Sequence, residues 1–323
     1  MKTYEIRIVC IKYASQISRQ SILQSEIAYK KGGKDMSYIL ASDATLDLPV
    51  DIIEKYDIAV VPMAFNLDGQ EILHYPDERN MSIENFYEAL KQGKMSSTSQ
   101  INPATYVEFL TPVLEKGEDI LYICFTSGLS GTYQSALIAR AMLLEDFPER
   151  TIYVVDSLCA SAGLGYLMNL VGQKKEAGMS IEELKDWVIE NRTRVAHWFT
   201  VDDLFHLQKG GRLSLAEAML GSALKIKPII SVDSKGKLYV ENKVRGNKKS
   251  VEYMIAKVND TMDDNEHTVF IGHGDAEERA LELKDKLLEK TKAENIRITK
   301  IGPIIGTHTG PGMLAVLFME KTE

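Results

Sequence analysis

Three short stretches gather hydroxyl, glycine and histidine residues at spacings that can hold an anion: SSTSQINP from Ser96 to Pro103, TSGLSGT from Thr126 to Thr132, and GTHTGPG from Gly306 to Gly312. The second follows the β-branched and aromatic run DILYICF and leads into the helix-forming run ALIARAMLLED. A strand that turns through serine and glycine into a helix start leaves free backbone N–H groups and a positive dipole end, a natural seat for a negative group. Ser130 and Gly131 stand at that start; Ser127 and Ser130 could equally do no more than cap the helix.

Other chemistries fit the letters less well. A phosphate-cradling loop needs lysine followed by serine or threonine after its last glycine, and SGLSGTY has neither. A nucleophile elbow needs glycine two residues after its serine, where this chain has Thr132. Ser130, Asp275 and His308 still provide the residue types of a serine hydrolase acting on acyl esters, which stands as the alternative reading. The six histidines are scattered, and the pairs Asp202/Asp203 and Asp263/Asp264 read as helix-start or solvated loop charges, so no metal site is expected. His273, in IGHGD, reads as a turn histidine without a function of its own.

These loops need elements to hold them. The chain has 323 residues, enough for about two domains, with an ordinary globular 45% of hydrophobic and 26% of charged residues. A net charge of -8 argues against nucleic acid as a partner, and no apolar run reaches the ~20 residues of a membrane span. Cys10, Cys124 and Cys159 have no paired or metal-like spacing, which suggests a reducing cytoplasm; Cys124 and Cys159 read as buried, inert thiols.

From Ser37 onward strands alternate with helices. SYILASD, IAVVPMAF, DILYICFT and TIYVVDS read as strands; SIENFYEALKQG, ATYVEFLTPVLEKG, YQSALIARAMLLED, GLGYLMNLVGQKKEAG and SIEELKDWVIENRTR read as helices, with Ser82 as an N-cap and Pro103 as a helix opener. That grammar predicts an α/β domain over residues 36–194, a parallel sheet covered by helices on both faces. Over residues 195–323, KIKPIISVDSKGKLYVENKVRG reads as a hairpin across DSKGK, and IRITKIGPIIGTHTGPGMLAVLFM as further strands around a glycine-rich turn. The second domain is therefore expected to be α+β with a mixed sheet, and a ligand cleft is expected between the two. Residues 1–35 read as a translated leader before a start at Met36, or as an N-terminal arm.

The motifs ASDATLDLP, TSQINP, TSGLSGTYQSA, VVDS, LQKGGRLS, LKIKPII, IGHGD and GTHTGPG occur in the order found in the DegV family of bacterial fatty-acid-binding proteins, and from Met36 the chain resembles that family. It departs in placing Ile101 and Asn102 between TSQ and Pro103. The resemblance implies a cytoplasmic lipid carrier, with no catalytic residue or cofactor of its own, that holds one long-chain fatty acid. It further implies that the carboxylate is presented to a separate fatty acid kinase, which brings ATP and magnesium, and that contact with membranes is transient. Thr98 and Ser130 become the carboxylate donors, with Ser99, Ser127 and Gly131 beside them. His308 lies next to the head group, and Arg212 of KGGR belongs to the exposed rim that the kinase meets.

Physical chemistry supports that division. Burial of an acyl chain is worth roughly 0.8 kcal/mol per methylene, so the tail supplies affinity and the polar head supplies orientation. An anion beside His308 would favour its protonated form and tighten the hold at mildly acidic pH. GLGYLMNLVG and LAEAMLGSALKIKPII have the small and flexible apolar residues of a tunnel wall, although ordinary core packing explains them equally well.

Overall fold

The computed structural model describes residues 37–213 and 226–322. The leader reading and most of LAEAMLGSALKIKPII fall outside them. The described residues from Tyr38 onward form one compact unit.

In chain order the elements are β1 (Tyr38–Asp43), α1 (Val50–Lys55), β2 (Ile58–Val61), β3 (Met63–Leu67), β4 (Gln70–His74), α2 (Ile83–Lys91), β5 (Ser96–Thr98), α3 (Pro103–Leu114), β6 (Asp119–Cys124), α4 (Thr132–Asp146), β7 (Ile152–Asp156), α5 (Ala162–Glu176) and α6 (Ile181–Asn191). They continue as β8 (Val195–Thr200), α7 (Phe205–Lys209), β9 (Ile226–Val232), β10 (Leu238–Arg245), α8 (Gly246–Thr261), β11 (Thr268–His273), α9 (Glu277–Lys290), β12 (Asn295–Lys300), α10 (Pro303–Thr309) and β13 (Leu314–Met319). Helix starts follow local chemistry. Ser82 Oγ accepts from Asn85 N–H at 3.2 Å, Asn102 Oδ1 accepts from Thr105 N–H at 3.0 Å ahead of Pro103, and Ser180 and Glu183 form a reciprocal capping box.

The fold is α/β, with a four-stranded parallel sheet in the order β2-β1-β6-β7 and a six-stranded mixed sheet in the order β10-β9-β8-β13-β11-β12. Side-chain alternation sorts the core into layers. On β1 and β6, Ala41, Ile120 and Tyr122 pack with α3 and α4, whereas Leu40, Leu121 and Ile123 pack with α5. On β13, Ala315 and Leu317 join the α5 cluster, while Leu314, Val316 and Phe318 turn to the opposite face with α8 and α9 residues. Helix α5 thus lies between the two sheets. Its residues from Ala162 to Gly172 are all buried, which accounts for its apolar character all round.

Three expectations need correction. IAVVPMAF is two strands, because Pro62 cannot donate to a ladder and the chain leaves the parallel sheet there. β3 instead builds a three-stranded antiparallel sheet in the order β4-β3-β5, and the polar residues Ser96–Thr98, read as loop, are its third strand, with Thr98 opposite Phe65. The glycine-rich turn near the C-terminus contains a helix, α10, opened by Pro303. Both features set the head of the candidate site.

Candidate functional site

An apolar cavity lies between the parallel and mixed sheets, with about 770 Å³ of empty space counted with its open mouth. Its long axis can be followed on β13. Met313, Ala315 and Leu317 line it at every second position, and Phe199 and His197 of β8 stand opposite Ala315 and Leu317. From Met313 to Leu317 the strand advances on the order of 13 Å. Val232 and Leu238, at the two ends of the β9–β10 turn, complete this wall. The one histidine along it is chemically silent: His197 Nδ1–H donates to the Val195 carbonyl at 2.8 Å, Nε2 accepts from Ala160 N–H at 3.1 Å, and burial lowers the imidazole to about 4.

The polar end is assembled from four segments distant in sequence. Thr98, at the end of β5, has its Oγ1 2.8 Å from His308 Nε2 in the last turn of α10. Ser130 Oγ lies 2.8 Å from Thr132 Oγ1 and accepts from Thr132 N–H at 3.2 Å. Arg212 Nε donates to the Leu129 carbonyl at 3.3 Å and Nη1 to the Gly210 carbonyl at 2.5 Å, tying the KGGR turn to the SGLSG loop. Thr98, Ser130, His308 and Arg212 all line the cavity. His308 Nδ1 is buried without a partner among the described residues, facing Gly210, where any side chain would strike it.

The serine-glycine loop is fixed from below. Asp43, buried at the end of β1, accepts from Phe125 N–H and Tyr122 Oη–H, each at 3.1 Å, and from Thr45 Oγ1–H at 2.5 Å; its burial raises its carboxyl above the ordinary range. From the other side the β9–β10 turn presses on the same loop. Thr126 Oγ1 donates to the Gly236 carbonyl at 3.1 Å, and a Cβ at Gly128 would sit 2.5 Å from that carbonyl oxygen. ASDATLDLP is therefore scaffold for the site, and its Thr45 also lines the cavity.

Several predicted site residues are placed elsewhere. Ser99 and Ser127 are exposed and do not line the cavity. Asp156 captures Ser127 N–H at 3.0 Å, a bond that fixes the backbone there and leaves the side chain in solvent. Gly131 is exposed at the start of α4, against the Gln100 carboxamide. Arg212 is half-buried and forms part of the cavity wall, so it is a brace at the mouth more than an exposed rim. Burial, with Arg212 and His206 nearby, lowers the His308 imidazole to about 4, which opposes the protonation that an anion beside it would favour. The serine-hydrolase relay is not assembled. Ser130 bonds Thr132, His308 bonds Thr98, and Asp275 pairs with Lys91 at 3.0 Å.

Sequence reading missed Thr45, Ser161, His197 and His206. His206 lies against Gly310 beside His308, and its presence was signalled only by LFHLQKGG. Cys124 and Cys159 are free and buried, and burial raises both thiols, as expected of inert cysteines.

The family model for uncharacterised proteins of the DegV family matches residues 39–321. The chain belongs to the DegV family. A DegV domain-containing protein of Clostridium perfringens is 39% identical over 287 residues, which cover 88% of this chain and 98% of that one. Among solved structures, a hypothetical protein of Thermotoga maritima described as revealing fatty acid binding function superposes with a TM-score of 0.77 at 29% identity, covering 89% of this chain and 100% of that one. The DegV fatty acid binding protein of Bacillus subtilis gives 0.74 at 28% identity, with the same coverage. Against DegV proteins, the match spans both sheets and the loops of the polar end.

Proposed function

We propose that this chain binds one long-chain fatty acid, with its tail in the apolar cavity and its carboxylate at Thr98, Ser130 and His308, and presents that carboxylate to a separate fatty acid kinase. The observation that carries the reading is an apolar cavity that ends in a hydrogen-bonded threonine–histidine pair. The fatty acid binding described for the Thermotoga and Bacillus relatives supports it.

The head group is held by neutral donors. With its proton on Nε2, His308 donates to Thr98 Oγ1 and frees the threonine hydrogen for the carboxylate; Ser130 donates from the other loop. Hydrogen bonds of this kind hold the anion without cancelling its charge, leaving an oxygen able to attack phosphorus on the kinase. ATP and magnesium come with the kinase, and the carrier works in the cytoplasm with only transient membrane contact. Arg212, tied to the Leu129 and Gly210 carbonyls at the polar end, is the residue that meets the kinase.

Mass spectrometry of lipid extracted from the purified chain tests the binding step. One fatty acid per chain is expected; a chain that carries none and takes up none from added oleate or palmitate would overturn it. Adding a fatty acid kinase and ATP tests the second step, with acyl phosphate as the expected product.

A further inference from the structure

A second cavity shares a wall with the first. It holds about 650 Å³ of empty space counted with its open mouth, between the segment leading into α1, the end of β4, the start of α2 and the end of β12. One hydrogen bond joins the two linings: Ser161, facing the acyl cavity, donates its hydroxyl to Asp47 Oδ2 at 2.6 Å, and Asp47 faces the second cavity. Both residues have left-handed backbones, with φ of 54° and 41°, so the contact is held against local strain.

His74 has no evident structural role there. It is only 5% exposed, yet its imidazole makes no hydrogen bond with any described residue. Burial lowers it to about 4, so one ring nitrogen offers a bare lone pair. A ligand donor entering the cavity can hydrogen-bond that lone pair. A Cβ on Gly302 would sit 2.7 Å from His74 Nε2 and 2.9 Å from Asp47 Oδ1, so both groups look onto the same side of Gly302. Asp47 already accepts from Gly302 N–H at 2.8 Å and retains a second lone pair on each oxygen.

The surrounding charges select the ligand. Glu78, whose Oε2 accepts from Ile83 N–H at 2.7 Å, lines the cavity with Asp47; Lys300 also lines it and pairs with Glu84, and nearby Arg79 pairs with Asp77 at 2.5 Å. An anion would meet two carboxyl groups, and an alcohol has one hydrogen to give. An ammonium has three, and Leu46, Leu48 and Ile83 offer an apolar wall for a short hydrocarbon body. We propose that this second cavity binds a small primary ammonium compound through His74, Asp47 and Glu78. Such a cation keeps Asp47 ionised and therefore keeps the Ser161 hydroxyl donating away from the acyl chain. The site does not depend on the acyl reading.

Calorimetric titration of the full chain with n-butylammonium, 1-butanol and butyrate tests the proposal. Saturable binding of butylammonium is expected, with butanol about tenfold weaker or worse and butyrate silent. His74→Leu is expected to weaken butylammonium by about tenfold or more, and Glu78→Gln several-fold. If His74→Leu does not fold, as judged by circular dichroism, Glu78→Gln decides. Absence of saturation at tens of millimolar, equal binding of butanol, or butylammonium affinity unchanged in the folded variants would overturn it.

Discussion

The two ends of the acyl cavity are built on different principles. The tail end is made of strand and helix residues buried in a core shared by both sheets, such as Ala315, Leu317 and Phe199, with its one histidine fully satisfied by backbone partners. The head end is made of loop and element-terminal residues brought together from positions 98, 130, 212 and 308, each held by one or two hydrogen bonds, with His308 Nδ1 left unpaired. The tail wall can supply affinity through area alone. The head can supply geometry, because its groups are few and directional.

The largest expected effect attacks the tail. Ala315→Phe directs a ring from β13 into the cavity and should weaken acyl binding by more than about 100-fold, roughly 3 kcal/mol or more. Its melting temperature should hardly move, because the ring fills existing space; displacement of a fluorescent fatty acid and a thermal melt report the two. His308→Ala should lower the kinase-coupled rate by about tenfold or more while acyl affinity changes less than about threefold, a split that separates orientation from burial. Thr98→Val keeps the shape and removes one hydroxyl, so a loss of about 1 kcal/mol, roughly fivefold, is expected in carboxylate-dependent affinity and none in the affinity of the matching fatty alcohol.

The smallest effect is read in pH. His74, His197 and His308 lie at about 4 in the folded chain against an ordinary 6.5, so their contribution to stability is complete above 6.5 and is lost as pH falls through about 4. Asp47 opposes them. Burial raises it from 3.8 to about 7, so its contribution is complete below 3.8 and is lost as pH rises through about 7. Asp47→Asn removes the opposing group, and the melting temperature should fall more steeply between pH 7 and 4.5 than in the unaltered chain.

The parallel sheet and its helices were legible in the sequence, whereas the tail wall was not: no residue of GLGYLMNLVG, read as a possible tunnel wall, lines the cavity. Alternation in YILASD and DILYIC, and helix signals such as Ser82, Pro103 and Ser180, depend on local chemistry and gave the parallel sheet and its helices. Thr98 and Ser130 were visible because hydroxyls and glycines concentrate where loops hold anions. Ser127 was misplaced because nothing local tells which serine of a turn faces inward; Asp156, 29 residues away, decides it. Ser96–Thr98 is short and polar, with only Thr98 favouring a strand, and it pairs because β3 is beside it. The burial of His308, which opposes its protonation, was not legible for a related reason, since it is a property of the assembled core and not of GTHTGPG.

The separation of head from tail is tested most directly by acyl affinity against chain length, from ten to eighteen carbons, in the unaltered chain and in His308→Ala. Each added methylene should strengthen binding by about fourfold, near 0.8 kcal/mol, until the cavity is full. Two parallel lines with a small offset are the expected result. A slope that collapses in His308→Ala would mean that the imidazole organises the cavity as a whole, and would contradict the separation.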